Sequence, residues 1–277
     1  MLSIKPYQPI SNLSRRCPLL ATAEDRDIFH ALLKTIRRSG PPGDMGELLL
    51  SVGSFFLGAP YAAGTLEREG PEELVINLRQ MDCSTFLENT VVLSRLIRTG
   101  RTTWADFEQA LSASRYRQGV PDGFASRLHY FTDWLHENQR QGILRDITSA
   151  LGGIPFRKKI DFMTAHRDRY PPLRVPDAYA RLVQVEKNCT ARPLYYVPKR
   201  QLPSVIQKIN NGDLIAIATD IEGLDVTHVG LAVHRNRGFH LLHSSRLAGK
   251  VVISEATIYR YLQQRKLRVG IMAARVL

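Results

Sequence analysis

The spacing of hydrophobic residues changes once along this chain, and that change limits the folds open to it. Up to about residue 140, apolar side chains recur at three- and four-residue intervals. From Leu194 onward they come in short runs rich in Val, Ile and Leu, separated by turn-forming residues. The first pattern makes helices with one buried stripe, and the second makes strands. Helices followed by closely spaced strands give an α+β fold with a mainly antiparallel sheet. Neither an internal repeat nor a low-complexity linker divides the sequence. Residues 1–277 are therefore expected to form a single domain, helical over about 20–140 and sheet-rich over about 194–272.

Ile28, Leu32, Leu33 and Ile36 predict a helix over 22–38, closed by Gly40-Pro41-Pro42-Gly43. Met45, Leu48, Leu49, Val52 and Phe56 predict a second, from Asp44 to about Phe56, broken at Gly58-Ala59-Pro60-Tyr61. Leu74–Leu78 reads as a strand that delivers the chain to Met81-Asp82-Cys83. A third helix spans Ser84–Ile97, with Leu87, Thr90, Val91, Ser94 and Ile97 on its buried face. Trp104–Tyr116 and Phe124–Asn138 are two more. The stretch from about Gly142 to Thr190, rich in Arg, Pro and Gly, reads as an irregular connection. Strands are expected at Leu194–Val197, Asp213–Ala218, Thr227–Val233, Phe239–His243, Lys250–Ile253 and Arg268–Ile271. The third and fourth form a hairpin around Asn236-Arg237-Gly238.

With 44% hydrophobic and 23% charged residues, the composition is that of a globular protein, not a disordered chain or a rod. The apolar runs are too short to span a membrane. The opening MLSIKPYQPISNLSRR lacks the apolar core of a secretory signal, which predicts either a cytoplasmic protein or a leader missing from this sequence. Lys and Arg number 38 against 26 Asp and Glu, a net charge of +12. Such a field attracts polyanions: nucleic acid, anionic cell-wall polymer or a lipid surface. The basic residues are scattered, without zinc-finger spacing, a leucine zipper or an aromatic sheet motif, so no specific nucleic-acid partner is expected. Cys17, Cys83 and Cys189 lie far apart and have neither metal-site nor disulfide-framework spacing. A Cys17–Cys189 bond would leave Cys83 free.

Cys83 stands at the predicted start of a helix. Unpaired N–H groups and the positive end of the dipole there favour an anion, which lowers a thiol pKa and offers donors to an oxyanion. Asp82, a plausible cap, opposes this if its carboxylate points at the thiol. A lone cysteine near a helix start is on that basis more often a core residue. His228 adds weight. Strand alternation puts it on one face with Gly230 and Ala232, which leave room beside the imidazole. His243, near the end of the next strand, is placed to orient that base, with His240 as the competitor on the opposite face. A metal site of His228, His234, His240 and His243 fits less well: His228 and His234 share a face but stand roughly 20 Å apart along a strand, and HExxH is absent.

Asp82-Cys83-Ser84-Thr85-Phe86, His228-Val229-Gly230 and His243-Ser244-Ser245 resemble the motifs of NlpC-type cell-wall hydrolases of the papain-like superfamily. Phe56-Leu57-Gly58-Ala59-Pro60-Tyr61, Gly64-Thr65-Leu66 and Arg127-Leu128-His129-Tyr130-Phe131-Thr132-Asp133-Trp134 extend the resemblance to bacterial N-acetylmuramoyl-L-alanine amidase-like proteins, over about residues 45–255. The resemblance implies a papain-like core in which the cysteine helix packs on the sheet, with additional helices. It implies Cys83 as nucleophile, His228 as base, His243 as orienting residue, and Tyr61 and Ser84 lining the cleft. It implies peptidoglycan fragments or stem peptides as substrates, a periplasmic or cell-envelope location, and no metal or organic cofactor. Arg115, Arg117 and Arg127 lie near these motifs and are candidates to grip stem-peptide carboxylates, or else to close structural ion pairs; Arg127 is the preferred substrate-binding candidate. The same apparatus serves acyl transfer or hydrolysis of another amide, and a non-catalytic cell-wall-binding module also fits.

Overall fold

The computed structural model of the chain describes residues 19–68, 70–235 and 238–277. Helix α1 (Ala23–Ser39) begins where Thr22 and Asp25 cap one another, and it buries Phe29, Leu32, Leu33 and Ile36. The buried Asp25 carboxylate also accepts from the Leu78 N–H at 2.8 Å and from Arg79 Nε at 3.1 Å. It thereby anchors the segment that leads to Cys83. Helix α2 (Met45–Phe55) is capped by Asp44. It lies so close to the sheet that a Cβ at Gly53 would stand 2.9 Å from Leu242 Cδ2. Helix α3 (Cys83–Thr99) is capped by Asp82 and ends at Gly100, whose φ of 70° suits glycine.

Of the expected face of α3, Leu87, Thr90, Val91 and Ser94 are buried and Ile97 is half-buried, but Phe86, Glu88, Asn89, Val92 and Leu93 are buried as well. It is the central helix, enclosed by α2, by α4 (Trp104–Arg115) and by two strands of the sheet.

Three expectations give way. The helix predicted over Phe124–Asn138 is broken into a single turn at Phe124–Ser126 and helix α5 (Phe131–Arg140). Between them the Leu128 N–H donates to the Arg115 carbonyl at 2.9 Å, and Arg127 pairs with Tyr116. Those tertiary bonds use backbone groups that a continuous helix would need. The irregular middle contains helix α6 (Phe162–Ala165) and the 16-residue helix α7 (Pro176–Ala191). Pro176 opens α7 where a missing N–H costs nothing, and Leu182 and Cys189 bury against Phe124, Tyr130 and Leu173. The strand expected over Leu74–Leu78 shrinks to β2 (Leu74–Val75), parallel to β1 (Leu19–Leu20).

The main sheet comprises β3 (Leu144–Asp146), β4 (Ile154–Pro155), β5 (Tyr195–Pro198), β6 (Leu214–Thr219), β7 (Val226–Arg235), β8 (Gly238–Ser245), β9 (Lys250–Ile253) and β10 (Arg268–Val276). Its order is β4-β5-β10-β6-β7-β8-β9, with β3 also on β10, and every pairing is antiparallel. Asn236 and Arg237 of the hairpin turn lie outside the described residues, as do Cys17 and the opening segment. Leu214, Ala216, Val229, Leu231 and Leu242 face the helices. Ile215, Ile217, Ala232 and Leu241 face a second core, closed by α8 (Leu202–Val205) and α9 (Ile258–Gln263). No described helix is long and apolar enough to cross a membrane.

Candidate active site

The segment before Cys83 is fixed on both sides. The Met81 N–H donates to the Pro60 carbonyl at 3.1 Å, and the Met81 carbonyl accepts from the Ala62 N–H at 3.2 Å and Ser244 Oγ at 2.7 Å. Asp82 then accepts from the Thr85 N–H and from Thr85 Oγ1, both at 2.8 Å, closing a capping box. Cys83 is the first residue of α3 and is half-buried. Of the first-turn N–H groups, those of Cys83 and Ser84 have no backbone or side-chain oxygen partner among the described residues. The Val229 backbone is close enough to the Cys83 thiol to favour its anion, and α3 packs on β7, so the sulfur lies near the strand that bears His228.

Between the pairs Ala216–Val229 and Ala218–Val226 the β6–β7 register slips, giving β7 an extra residue at Thr227–His228. Bulges of this kind re-aim side chains at sheet ends. His228 Nε2 lies 2.5 Å from His243 Nδ1, with the two rings nearly perpendicular. Gly230 makes this approach possible, because a Cβ there would stand 2.9 Å from His243 Cβ and 3.0 Å from the Leu242 carbonyl oxygen. His240 points elsewhere, its Nδ1 2.8 Å from the Ser254 carbonyl. His234 is held at 2.6 Å by the Ile209 carbonyl. The four histidines do not converge, and the described residues hold no cluster of three or more His, Cys, Asp or Glu suited to a metal.

The electrostatics depart from expectation. Burial, and then the charge of Asp82, push the Cys83 thiol up to about 11, although the Val229 backbone and Ser84 side chain pull the other way. The helix terminus is outweighed by burial of the thiol, to which the anionic cap adds. Burial lowers His228 to about 3, helped by His243 and Arg268, and burial alone lowers His243 to about 4. At neutral pH the site holds a thiol and two neutral imidazoles. Only one proton can lie between the two rings, so one imidazole donates and the other accepts.

Two cavities meet at Thr227 and His228. One, of about 220 Å³, contains Cys83, Ser84, Glu67, Asp82, Glu88, Arg127, His129 and Asp225. The other, of about 1000 Å³, lies beyond His243 and is walled by Arg246, Glu255, Tyr261, Arg265 and Arg268. Tyr61 is absent from the first wall, but its hydroxyl is close enough to Cys83 and Asp82 that, after burial, their charges help raise it. Arg127 is in the first wall, with its guanidinium already engaged by the Leu66 carbonyl at 3.0 Å, Glu67 at 3.1 Å and Glu72 at 3.5 Å. Arg115 is paired with Glu88 and Arg117 with Asp133. Of the two readings open for these arginines, the ion-pair geometry is the one observed.

His129 has no assigned role in the sequence motif that contains it, yet it lines the cavity, its Nε2 donating to the Phe124 carbonyl at 2.7 Å. Asp225 was missed altogether. Its buried carboxylate accepts from the Thr132 N–H at 2.8 Å and Thr132 Oγ1 at 2.9 Å, tying the start of α5 to β7 just ahead of His228. Only the acid three residues before His228 hinted at it.

Residues 51–271 match the model of the AmiA-like, N-acetylmuramoyl-L-alanine amidase-like, family. A crystal structure of an N-acetylmuramoyl-L-alanine amidase from Bacteroides uniformis is 36% identical, with a TM-score of 0.81 over 84% of this chain and 99% of that one. A proposed xylanase from Bacteroides fragilis is 37% identical, with a TM-score of 0.77 over 81% of this chain and 99% of that one. A Legionella pneumophila protein, 20% identical with a TM-score of 0.66 over 92% of this chain and 94% of that one, shares the fold. No protein of curated function matches. The chain belongs to the N-acetylmuramoyl-L-alanine amidase-like family.

Proposed function

We propose that this family member is a cysteine-dependent amide hydrolase acting on peptidoglycan-type peptides or muropeptides, built on a papain-like core of the NlpC type. The observation that carries the reading is the conjunction at the start of α3. A half-buried cysteine rests against the strand that bears His228, and His228 is hydrogen-bonded to His243 at 2.5 Å. The family and its muramoyl-alanine amidase relative support the substrate class.

With Nε2 of His228 turned to His243, Nδ1 is the nitrogen left for the thiol. His228 then donates from Nε2 to His243 Nδ1, and its bare Nδ1 takes the proton as Cys83 Sγ attacks the carbonyl carbon. The carbonyl oxygen becomes an oxyanion within reach of the free Cys83 and Ser84 N–H groups. The imidazolium gives its proton to the departing amine as the C–N bond breaks, leaving a thioester on Cys83. Water, deprotonated by His228, attacks the thioester, and the acid departs as the thiol is regenerated. His243 keeps the base in the productive tautomer. Because thiol and imidazole both start neutral, nucleophile and base are generated within the encounter with substrate, not stored as an ion pair. Ser84 lines the cleft, Tyr61 stands near the sulfur, and Arg127 shapes the cavity wall through its own carboxylates.

The test is a defined muramyl-tetrapeptide incubated with purified protein and followed by mass spectrometry. Release of the intact tetrapeptide identifies an amidase, and release of a dipeptide identifies an endopeptidase. Near-wild-type turnover by Cys83→Ala protein would sink the mechanism. Absence of both products from folded protein whose Cys83 reacts with iodoacetamide would sink the substrate class.

A further inference from the structure

Some arginines of this protein are ion-paired and others are not. Arg115, Arg117, Arg127, Arg192 and Arg275 each lie within 3.5 Å of a carboxylate oxygen of their own chain. Arg246, Arg265 and Arg268 have no such partner among the described residues, and all three wall the larger cavity. Arg246 and Arg265 are exposed and Arg268 is half-buried. Arg268 is also held in place. Its guanidinium carbon lies 3.8 Å from the centre of the Tyr261 ring, and Nη1 donates to the Tyr261 carbonyl at 2.5 Å. The guanidinium also lies within bonding reach of the Tyr261 hydroxyl, and no carboxylate of the described residues engages it.

This cavity is continuous with the reaction centre. His228 and His243 form part of its wall. Arg268 is close enough to His228 to disfavour its protonation, and the Tyr261 hydroxyl feels the charge of Cys83. Arg246 acts in the same way on Tyr61. Glu255 is the one acid in the wall, against three guanidiniums. Three guanidiniums against one carboxylate leave the concavity with a net positive charge, and Arg265 is close enough to Arg268 to disfavour its charge. An anion entering the concavity would relieve that repulsion.

We propose that this cavity is a carboxylate subsite: Arg268, assisted by Arg246 and Arg265, holds a carboxylate of the peptide arm of the substrate close to the scissile amide. The proposal rests on the amide-hydrolase reading and names the part of the substrate that the site recognises. A planar guanidinium pre-oriented by stacking meets a carboxylate with two parallel N–H bonds, a geometry that neither sugar hydroxyls nor a neutral amide reproduces. The smaller cavity beside Cys83 has the opposite character, since Glu67, Asp82, Glu88 and Asp225 face it and Arg127 and Arg115 are engaged. No unpaired guanidinium lines that side among the described residues, so the charge distribution favours the larger cavity for a carboxylate.

The test compares two muramyl-dipeptides that differ only in the carboxylate of the second residue, free in one and carboxamide in the other. Wild-type protein should favour the free acid by about tenfold or more in kcat/KM, mostly through KM, since charge-assisted bonds are about twice as strong as neutral ones. Arg268→Gln should erase the preference. If that variant loses its fold with the Tyr261 contact, the exposed Arg246→Gln and Arg265→Gln should each narrow the preference. Equal hydrolysis of both substrates by wild-type protein overturns the subsite and leaves the hydrolase reading intact. If neither is hydrolysed, calorimetry with Cys83→Ala protein and the free dipeptide separates the two ideas. Binding that Arg268→Gln or Arg265→Gln removes upholds the subsite while the reaction falls, and binding indifferent to the arginines overturns both.

Discussion

The two cavities that meet at His228 treat charge in opposite ways. On the helical side, Arg115, Arg117 and Arg127 are bound to Glu88, Asp133, Glu67 and Glu72, and their role is to hold helices and loops together. On the sheet side, Arg246, Arg265 and Arg268 face open space. The same residue type is therefore structural in one region and available in the other. The difference teaches that a basic net charge is uninformative until the paired cations are set aside. Of the +12, the part that can meet a ligand at this site comes from the last thirty-odd residues of the chain.

The sharpest test of that division is at the junction. Cys83→Ala should reduce turnover by a factor on the order of 10⁴ or more while leaving the thermal transition nearly unchanged, because a half-buried thiol contributes little packing. Steady-state kinetics beside a circular-dichroism melt checks both halves. His228→Ala should cost on the order of 10²–10⁴ in kcat. His243→Gln should cost less and move the pH profile, since it alters the tautomer and basicity of its neighbour more than it removes a reacting group.

The profile itself is the second test. With the base lowered to about 3 and the thiol raised to about 11, kcat/KM should stay level across neutral pH and fall on the acid side only below about pH 5. A titration near pH 6.5 would mean the imidazole is far more solvated than its surroundings here imply. Stability follows the same groups. Unfolded histidine binds its proton near pH 6.5, whereas the folded pair resists protonation down to about 3 and 4. The unfolded state then takes up more protons, so the melting temperature should decline as pH falls from 6.5 toward 4. His243→Phe should flatten that decline.

Gly230→Ala should displace His243, whose Cβ the new methyl would meet at 2.9 Å. A loss of about 10–100-fold in kcat with about 1–3 kcal/mol of stability is expected, the latter typical of overpacking. Smallest in activity but large in stability is Arg127→Met. It strands the half-buried Glu72 and should cost about 2–3 kcal/mol by denaturant titration, with kcat changed only a few-fold. Arg265→Gln is its counterpart, with the melt unchanged and the KM for a free-acid peptide raised. If both arginine variants behaved alike, the contrast between the cavities would collapse.

Local patterns carried much of this architecture. The helices starting at Ala23, Met45, Cys83 and Trp104 were legible from apolar spacing and, for the one at Cys83, from the cap at Asp82, since those interactions close within a few residues. Strand alternation correctly placed Gly230 and Ala232 on one face, and His240 opposite His243. Helix α7 was hidden by the arginines and prolines around it, because its buried face is short and is completed by Phe124 and Tyr130, far earlier in the sequence. The break before α5 was invisible for the same reason: Leu128 bonds to the Arg115 carbonyl, a partner thirteen residues back in a different helix.

The sequence alone determined that a cysteine begins a helix, that two histidines of suitable parity lie on adjacent strands, and that a glycine leaves them space. These are consequences of periods of 3.6 and 2 acting over a few residues. Tertiary structure decided the rest. It set the sign of the thiol shift, because burial and the aim of Asp82 depend on what packs over the helix start. It chose His243 over His240 through a bulge and a strand register. It also sorted the arginines, since Arg127 meets Glu67 across sixty residues of chain while Arg268 meets no acid among the described residues. Electrostatic partnership depends on distance in space, which a linear pattern of charges does not encode.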